Sequence, residues 1–190
     1  MNTKMHLKST LLVGTTGMLS AAAAYAVARS KKTVLVSRNA DQFSFSNDVL
    51  DHKITPINVS YDDEAAFLDA LEPLGPFDLA LTWFHPPAEI LRAALDGMIA
   101  PNGRLVEVMG SRSLLLGKEG EASIAERRAQ AMAMQDAFTY AQVILGFVLE
   151  GASSRWLTHE EISAAAIAQM EQPQARLVAG TLEPWERRPK

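Results

Sequence analysis

A glycine-containing turn near the start of the chain joins an apolar run to an alanine-rich segment. The run, residues 8–13, predicts a strand that is buried on both faces, and the segment 17–29 predicts a helix. The turn between them reads Gly14-Thr15-Thr16-Gly17-Met18-Leu19-Ser20. A strand, a glycine turn and a helix in this order are typical of the first unit of a parallel α/β sheet, so this turn constrains the fold more than any other feature.

The rest of the chain continues to alternate between predicted strands and helices. Short apolar or β-branched runs predict strands at residues 34–36, 54–59, 77–84, 104–109, 142–149 and 176–179. Helical spacing and end signals predict helices at 62–74, 87–99, 119–138 and 158–170, the last with a capping box of Thr158 and Glu161. We therefore expect an α/β protein with one Rossmann-like domain over residues 1–190, built on a doubly wound parallel sheet of about seven strands.

The composition limits the classes of function. Of the 190 residues 48% are hydrophobic, which is enough for one domain with a single large core. A formal net charge of -4 does not provide the positive surface of a nucleic-acid-binding protein. The chain has no cysteine, and its four histidines are not paired at helical spacing, so we expect neither a disulfide nor a metal site. These features favour a cytoplasmic protein.

The first thirty residues also resemble a secretory signal peptide. Lys4 and Lys8 precede an apolar stretch, and small residues follow at 24–28. Gly14 and Gly17 interrupt that stretch, however, and cleavage would destroy the strand-helix-strand order that continues beyond it. Residues 11–28 contain too many glycine, threonine and serine residues for a membrane span. We therefore expect this segment to belong to the fold and the protein to have no membrane partner.

The turn after the first strand has the features of a phosphate-binding loop. Gly14 permits a tight turn, and Gly17 permits the backbone to approach a pyrophosphate. The free N–H groups and the dipole at the start of the helix favour an anion. We expect a dinucleotide to contact Gly14, Thr15, Thr16, Gly17, Met18 and Leu19. A plain strand-to-helix turn is the alternative, because two glycines at this spacing are a weak signal alone.

The end of the second predicted strand indicates which dinucleotide is preferred. A site for NAD usually has an acidic residue there, which binds the ribose 2′-hydroxyl, whereas this chain has Ser37 and Arg38. A guanidinium can pair with the 2′-phosphate of NADP and stack on adenine, and Ser37 can donate a further hydrogen bond. We therefore expect NADP(H) as the cofactor. The alternative is an exposed arginine at a strand end, which does not favour NAD either.

Together, the glycine turn and the strand order resemble the short-chain dehydrogenase/reductase superfamily, in an atypical form with the glycine pattern TGxxGxxG. The sites that the resemblance implies are Asn58 and Val59 for adenine, residues 81–85 with Trp83 for the nicotinamide ribose, Ser111 for catalysis, and residues 146–148 for nicotinamide. In that family the helix predicted here at 119–138 commonly packs against its copy in a partner chain. The resemblance therefore also implies a homo-oligomer, either a dimer or a tetramer.

The chain departs from this family at the general acid. The family carries a tyrosine and a lysine, written YxxxK, on the helix after the serine. The tyrosines of this chain are Tyr25, Tyr61 and Tyr140, and the residue four positions beyond Tyr140 is Ile144. The usual proton relay for carbonyl reduction therefore cannot be assigned to this sequence.

Three residues are candidates for substitute catalytic roles, because they are expected near the carboxyl ends of strands. His85 follows two aromatic residues and precedes two prolines, and a histidine ring can donate a proton near neutral pH. Ser111, beside Arg112, could orient a carbonyl or a carboxylate, and Tyr140 could approach the same crevice. The alternative for each of them is a structural role as a cap, turn or packing residue.

Two tryptophans in the last third of the chain stand next to charged residues. Trp156 and Trp185 could close the mouth of a substrate site, although anchoring of the C-terminal tail is the favoured interpretation.

Three hypotheses about function follow. The first is an NADP(H)-dependent oxidoreductase whose small-molecule substrate has an activated acceptor, such as an imine, an enone or a flavin-like ring, since such a reaction tolerates the loss of the tyrosine. The second is a non-catalytic NADP(H)-binding sensor or partner protein, which the short region between the fifth and sixth strands favours. The third is a redox-neutral enzyme on the same scaffold, such as an isomerase or a cyclase.

Overall fold

The structure is a computed structural model that describes residues 6–84, 88–115 and 121–189. Within these residues seven strands form one sheet, in which every neighbouring pair is parallel. In chain order they are β1 (Leu7–Val13), β2 (Ser30–Ser37), β3 (Ile54–Asn58), β4 (Phe77–Trp83), β5 (Ile99–Gly110), β6 (Thr139–Leu145) and β9 (Arg176–Ala179). The spatial order is β3-β2-β1-β4-β5-β6-β9, which confirms the predicted doubly wound parallel sheet.

Helices cover both faces of this sheet. They are α1 (Ser20–Arg29), α2 (Asp48–Asp51), α3 (Glu64–Leu71), α4 (Glu89–Asp96), α5 (Ile124–Ala133) and α6 (His159–Glu171). Alternate residues of β1 face the two sides: Leu12 packs in a core with α1 and α6, whereas Leu11 packs in a core with α3 and α4. Because both faces are covered, the central strands β1 and β4 contain buried apolar runs without alternation, as the sequence predicted. The same prediction was wrong for β3, which lies at the edge of the sheet and has no buried residue.

The chain reverses at Gly146, where the sequence predicted an uninterrupted strand over 142–149. That prediction was wrong: β6 ends at Leu145, and a separate antiparallel hairpin follows, formed by β7 (Phe147–Glu150) and β8 (Ser153–Trp156). A Cβ atom on Gly146 would collide with the carbonyl oxygen of Thr181, so only glycine permits this crossing of two backbone segments.

Helix α5 is shorter than the predicted helix at 119–138. It begins after Ser123, whose side chain accepts from the N–H of Glu126 in a capping box that the sequence analysis missed. It ends at Ala133, and Phe138 packs instead in the core shared by α3 and α4. The capping box of Thr158 and Glu161 at the start of α6 was predicted and is confirmed.

The N-terminal segment supplies the centre of the fold. Strand β1 lies between β2 and β4, and Leu11 and Leu12 are fully buried. Across the ranges that the structure describes, no helix has the length and apolar character needed to cross a membrane. Over the same ranges, no three acidic or histidine side chains come together as metal ligands.

Candidate functional site

A cavity of about 460 Å³ lies at the carboxyl ends of the first strands, and we refer to it as the first cavity. The loop after β1 and the end of β2 form much of its wall, and Val59 and Trp83 complete it from beyond β3 and from the end of β4. Of the residues predicted to bind a cofactor, those that line the cavity are Gly14, Thr16, Gly17, Met18, Ser37, Arg38, Val59 and Trp83. Such a crevice at the carboxyl edge is the usual ligand position in a doubly wound sheet.

Gly14 makes the turn that shapes this cavity. Its φ is +67°, a conformation that residues with a side chain rarely adopt. A Cβ atom on Gly14 would lie 2.5 Å from the carbonyl oxygen of Trp83, so the ends of β1 and β4 can approach only at a glycine. The structure therefore explains the tight turn that the sequence predicted at this position.

Gly17 and the start of α1 leave space for an anion. A Cβ atom on Gly17 would meet nothing within 4 Å, so a ligand can reach the backbone at this position. Helix α1 has no side-chain hydrogen bond at its N-cap and no acidic residue in its first turn. The N–H of Ser20 donates to the carbonyl oxygen of Gly17, and the next N–H groups of the first turn, with the positive dipole end of the helix, fit a pyrophosphate.

Two residues of the loop point away from the cavity. Thr15 and Leu19 are fully buried and do not line it, although the sequence analysis predicted both as cofactor contacts. The Oγ1 atom of Thr15 is buried and has no hydrogen-bond partner among the described residues. The side chains of Thr15 and Leu19 therefore pack in the protein interior and anchor the loop there.

The end of β2 presents polar side chains to the first cavity. Ser37, Arg38 and Asn39 all line it, and Arg38 is exposed. Asn58, predicted to touch adenine, does not line the cavity; its Oδ1 atom accepts from the N–H of Asp41 at 3.0 Å and so holds the segment after β2. The cavity residues that the sequence analysis missed include Gln42, Phe43 and Tyr61, because their positions depend on how the segments after β2 and β3 fold back.

A second cavity, of about 830 Å³, adjoins the first. Met18 and Trp83 line both cavities and so form the boundary between them. Ser111 lines the second cavity from just beyond β5, and Trp156 and His159 line it from the end of β8 and the start of α6. The two cavities therefore form one continuous crevice across the carboxyl edge of the sheet.

Ser111 is the predicted catalytic residue that the structure places in this crevice. It is 5% exposed and opens a short 3-10 helix over Ser111–Leu114. The neighbouring Ser113 donates to the carbonyl oxygen of Gly110 at 2.7 Å, as a turn residue does. His85, the other candidate from this edge of the sheet, lies outside the described residues.

Tyr140, the third candidate for a catalytic role, lies away from both cavities. It is the second residue of β6, near the amino end of that strand, and it lines neither cavity. Its hydroxyl donates to Glu107 Oε2 at 2.7 Å, and burial together with the Glu107 charge raises the pKa of the phenol. The prediction that Tyr140 approaches the crevice is wrong, because this residue lies near the start of its strand rather than at its end.

Glu107 is the centre of a buried ion cluster. This carboxylate is 1% exposed and is paired with Arg92 through Oε1 at 2.5 Å and with Arg128 through Oε2 at 3.2 Å. Arg128 also makes two hydrogen bonds to Asp96. Burial disfavours the charged guanidinium, but Asp96 and Glu107 outweigh it and raise the pKa of Arg128. Such pairs link β5 to α4 and α5 and cannot be read from spacing along the chain.

Helix α5 presents Ile124 to the second cavity. Arg128 follows it four residues later, so Ile124 and Arg128 have the spacing of the YxxxK pair with neither of its residues. Position 124 therefore provides no general acid, and the cation at position 128 is bound by the carboxylates of Asp96 and Glu107. Among its described lining residues the second cavity contains no tyrosine.

Known structures share this fold, although no protein-family model and no curated protein matches the chain. A short-chain dehydrogenase/reductase from Burkholderia phymatum in complex with NAD has a TM-score of 0.62 at 10% identity, with 93% of this chain and 90% of that chain covered. A dehydrogenase/reductase from Sinorhizobium meliloti 1021 has a TM-score of 0.61 at 16% identity, with 95% and 97% covered. BdcA in complex with NADPH has a TM-score of 0.58 at 14% identity, with 93% and 96% covered.

These similarities extend over nearly the whole of each chain, but every identity is low. They confirm, at the level of the fold, the resemblance that the sequence showed. The chain has the fold of the short-chain dehydrogenase/reductases.

Proposed function

We propose that this chain is an NADP(H)-dependent oxidoreductase acting on a small molecule with an activated acceptor, such as an imine, an enone or a flavin-like ring. One observation carries the proposal: Met18 and Trp83 line both cavities, so a dinucleotide in the first cavity would end at the mouth of the second. Two of the solved structures that share the fold are complexes with NADPH and with NAD.

The first cavity supplies a separate site for each charged part of the cofactor. The N–H groups at the start of α1, beside the open Cα of Gly17, would bind the pyrophosphate. Ser37 and Arg38 would bind the 2′-phosphate, since the guanidinium is exposed at the cavity wall. NADPH is therefore the preferred cofactor over NADH.

The residues of the second cavity decide which acceptor can react. The bound nicotinamide supplies a hydride. Ser111 would donate a hydrogen bond to the acceptor, while Ile124 occupies the wall without offering a proton. Because the described part of this cavity has no tyrosine, the acceptor must already be electrophilic or must take its proton from water or from another residue of the wall, such as His159.

Turnover tests the catalytic part of the proposal. NADPH oxidation would be followed with a panel of imines, enones, quinones and flavins, for the wild-type protein and for Ser111→Ala. We expect turnover with at least one acceptor and a loss of about tenfold or more in kcat for the variant. Ser153→Ala is the control, since Ser153 lines neither cavity and its hydroxyl donates to the carbonyl oxygen of Glu150, so the loss of that hydroxyl should leave kcat within about twofold.

A non-catalytic NADP(H) sensor is the second candidate. The pair Ile124 and Arg128 favours it, because one residue has no proton to give and the other is held by Asp96 and Glu107. Tight NADPH binding with no turnover of any acceptor would select the sensor and exclude the oxidoreductase.

The remaining predictions concern assembly and location. A homo-oligomer formed through α5 is supported by Met134, the residue directly after the helix, which is 89% exposed. Sedimentation of the wild-type protein and of Met134→Glu tests it, and a monomeric wild type would contradict it. A cytoplasmic location is proposed with it, and fractionation of the source cells would decide it.

A further inference from the structure

The second cavity has an excess of positive charge that the rest of the chain does not share. Three arginines line it, namely Arg92, Arg112 and Arg188, and no aspartate or glutamate is among its described lining residues. Arg92 is paired with Glu107, so the positive charge in excess comes from Arg112 and Arg188. The whole chain, by contrast, has 22 acidic and 18 basic residues. A cavity of one sign in a protein of the opposite net charge attracts ligands of complementary charge.

Arg92 is the buried member of this group. It is 5% exposed, and its Nε atom donates to Glu107. Its Nη1 atom is buried and has no hydrogen-bond partner anywhere in the described part of the chain. An unpaired guanidinium donor in the interior is costly, and a small movement of this side chain towards the cavity that Arg92 lines would allow a ligand oxygen to remove that cost.

Arg188 stands at the mouth of the same cavity. Its guanidinium carbon lies 4.6 Å from the ring centre of Trp185 and 6.0 Å from that of Trp156. The stacking orients the planar cation beside Trp156, which also lines the cavity and is 48% exposed. Arg112 is exposed on the wall formed beyond β5, so the guanidinium groups of Arg112 and Arg188 approach the cavity from different sides.

The remainder of the lining is largely apolar and aromatic. Trp83, Phe84, Met109, Leu145 and Leu157 all contribute to it. A ligand that satisfies both parts of the cavity has an apolar or aromatic body and an anionic group. One buried donor suits a monoanionic carboxylate, because a phosphate dianion would need more buried partners to offset its desolvation.

We infer that the second cavity binds an aromatic or apolar carboxylate, with Arg92 Nη1 as the buried donor and Arg112 and Arg188 as the cations at the mouth. The inference rests on the proposed function in one respect, that this cavity is the substrate site. It narrows the substrate from any activated acceptor to one that bears a carboxylate.

Binding of matched probes tests the inference without turnover. Naphthalene-2-carboxylate and naphthalene-2-carboxamide share one body and differ in charge, and their affinities for the full chain can be measured by calorimetry. We expect the carboxylate to bind at least about tenfold more tightly. Equal affinities would overturn the inference, and so would tighter binding of naphthalene-2-phosphonate, which would assign the site to a phosphate group.

Variants of the arginines test which side chains cause the preference for the carboxylate. Arg92→Lys keeps a cation beside Glu107 but lacks Nη1, and Arg112→Gln with Arg188→Gln leaves the buried cluster intact. Each should reduce the preference for the carboxylate by about fivefold or more. Arg127→Gln removes an exposed arginine that lines neither cavity, so it should leave the preference unchanged. If the control lost as much of the carboxylate preference as the other two variants, the assignment of Arg92, Arg112 and Arg188 as the carboxylate-binding residues would be overturned.

NADPH affinity measured on the same proteins separates this inference from the proposed function. A carboxylate preference in a protein that does not bind NADPH would refute the proposed function and leave the carboxylate site standing. NADPH binding without a carboxylate preference would refute the carboxylate site alone.

Discussion

The carbonyl oxygen of Trp83 packs so closely against Gly14 that a Cβ atom at position 14 would lie only 2.5 Å from it, which excludes every residue except glycine. This contact fixes the end of β4 against the loop after β1. Trp83 also lines both cavities, so the packing of one glycine determines the geometry of the boundary between them.

Gly14→Ala should therefore reduce both stability and NADPH binding. The φ of +67° and the contact with Trp83 each oppose a side chain, and together they should cost about 2 kcal/mol or more of unfolding free energy. Denaturant titration measures the loss, and calorimetry measures the affinity.

Gly17→Ala is the matched control for this change. Its Cβ atom would meet nothing within 4 Å, so stability should stay within about 0.5 kcal/mol of the wild type. The new methyl group would still occupy the space proposed for the pyrophosphate and should weaken NADPH binding. A Gly17→Ala protein with wild-type affinity would contradict the placement of the pyrophosphate.

Arg38→Ala should remove most of the preference for NADPH over NADH. A charge-assisted hydrogen bond to the 2′-phosphate contributes about 1.5–3 kcal/mol, so NADPH affinity should fall by roughly tenfold to a hundredfold. NADH lacks that phosphate, and its affinity should change little. Calorimetry with both nucleotides provides the comparison, and equal losses for the two would show that Arg38 acts elsewhere than on the phosphate.

Tyr140→Phe should affect stability rather than cofactor binding. The change removes a hydrogen bond to Glu107, a carboxylate that is 1% exposed, and should cost about 1–3 kcal/mol. Tyr25→Phe is a suitable control, because the exposed hydrogen bond from Tyr25 to Glu171 should contribute less than about 1 kcal/mol. Thermal denaturation measures the stability of both variants, and NADPH titration measures their affinity for the cofactor. Weaker NADPH binding by Tyr140→Phe would contradict the purely structural role of this residue.

Glu161 should make the start of α6 sensitive to acid. Hydrogen bonds from Arg155, and then from the N–H of Thr158, lower the pKa of its carboxyl group from 4.5 to about 2. A lowered pKa in the folded state stabilises the protein above the unfolded value, and this stabilisation is lost as the pH falls from about 4.5 towards 2. Melting temperatures at pH 7 and pH 3 should therefore differ less for Glu161→Gln than for the wild type, and an unchanged difference would contradict the assignment.

The fold was predictable because its signals are local. The apolar run of β1, the positive φ of Gly14 in the turn that follows it and the capping box at Thr158 each involve only a few neighbouring residues, and the structure has all three features. The hairpin after Gly146 was not predictable in this way, because a distant backbone segment at Thr181 makes the glycine necessary.

The candidate site was predictable only in part for the same reason. Arg38 could be identified from its place after β2, and Ser111 from its place after β5, since strand ends meet at one edge of a parallel sheet. Arg92 and Glu107 carried no signal, because their pairing joins a helix to a strand fifteen residues away. Tyr140 was misassigned because the direction of β6, which places it at the opposite end of the sheet, was not applied to that residue.

A crystal structure with bound NADP+ tests the central claim most directly. We expect the pyrophosphate at the N-terminus of α1, the 2′-phosphate within hydrogen-bond distance of Arg38, and the nicotinamide ring beside Met18 and Trp83, with its C4 atom facing the second cavity. A nicotinamide ring directed away from that cavity, or a nucleotide bound outside the first cavity, would contradict the account.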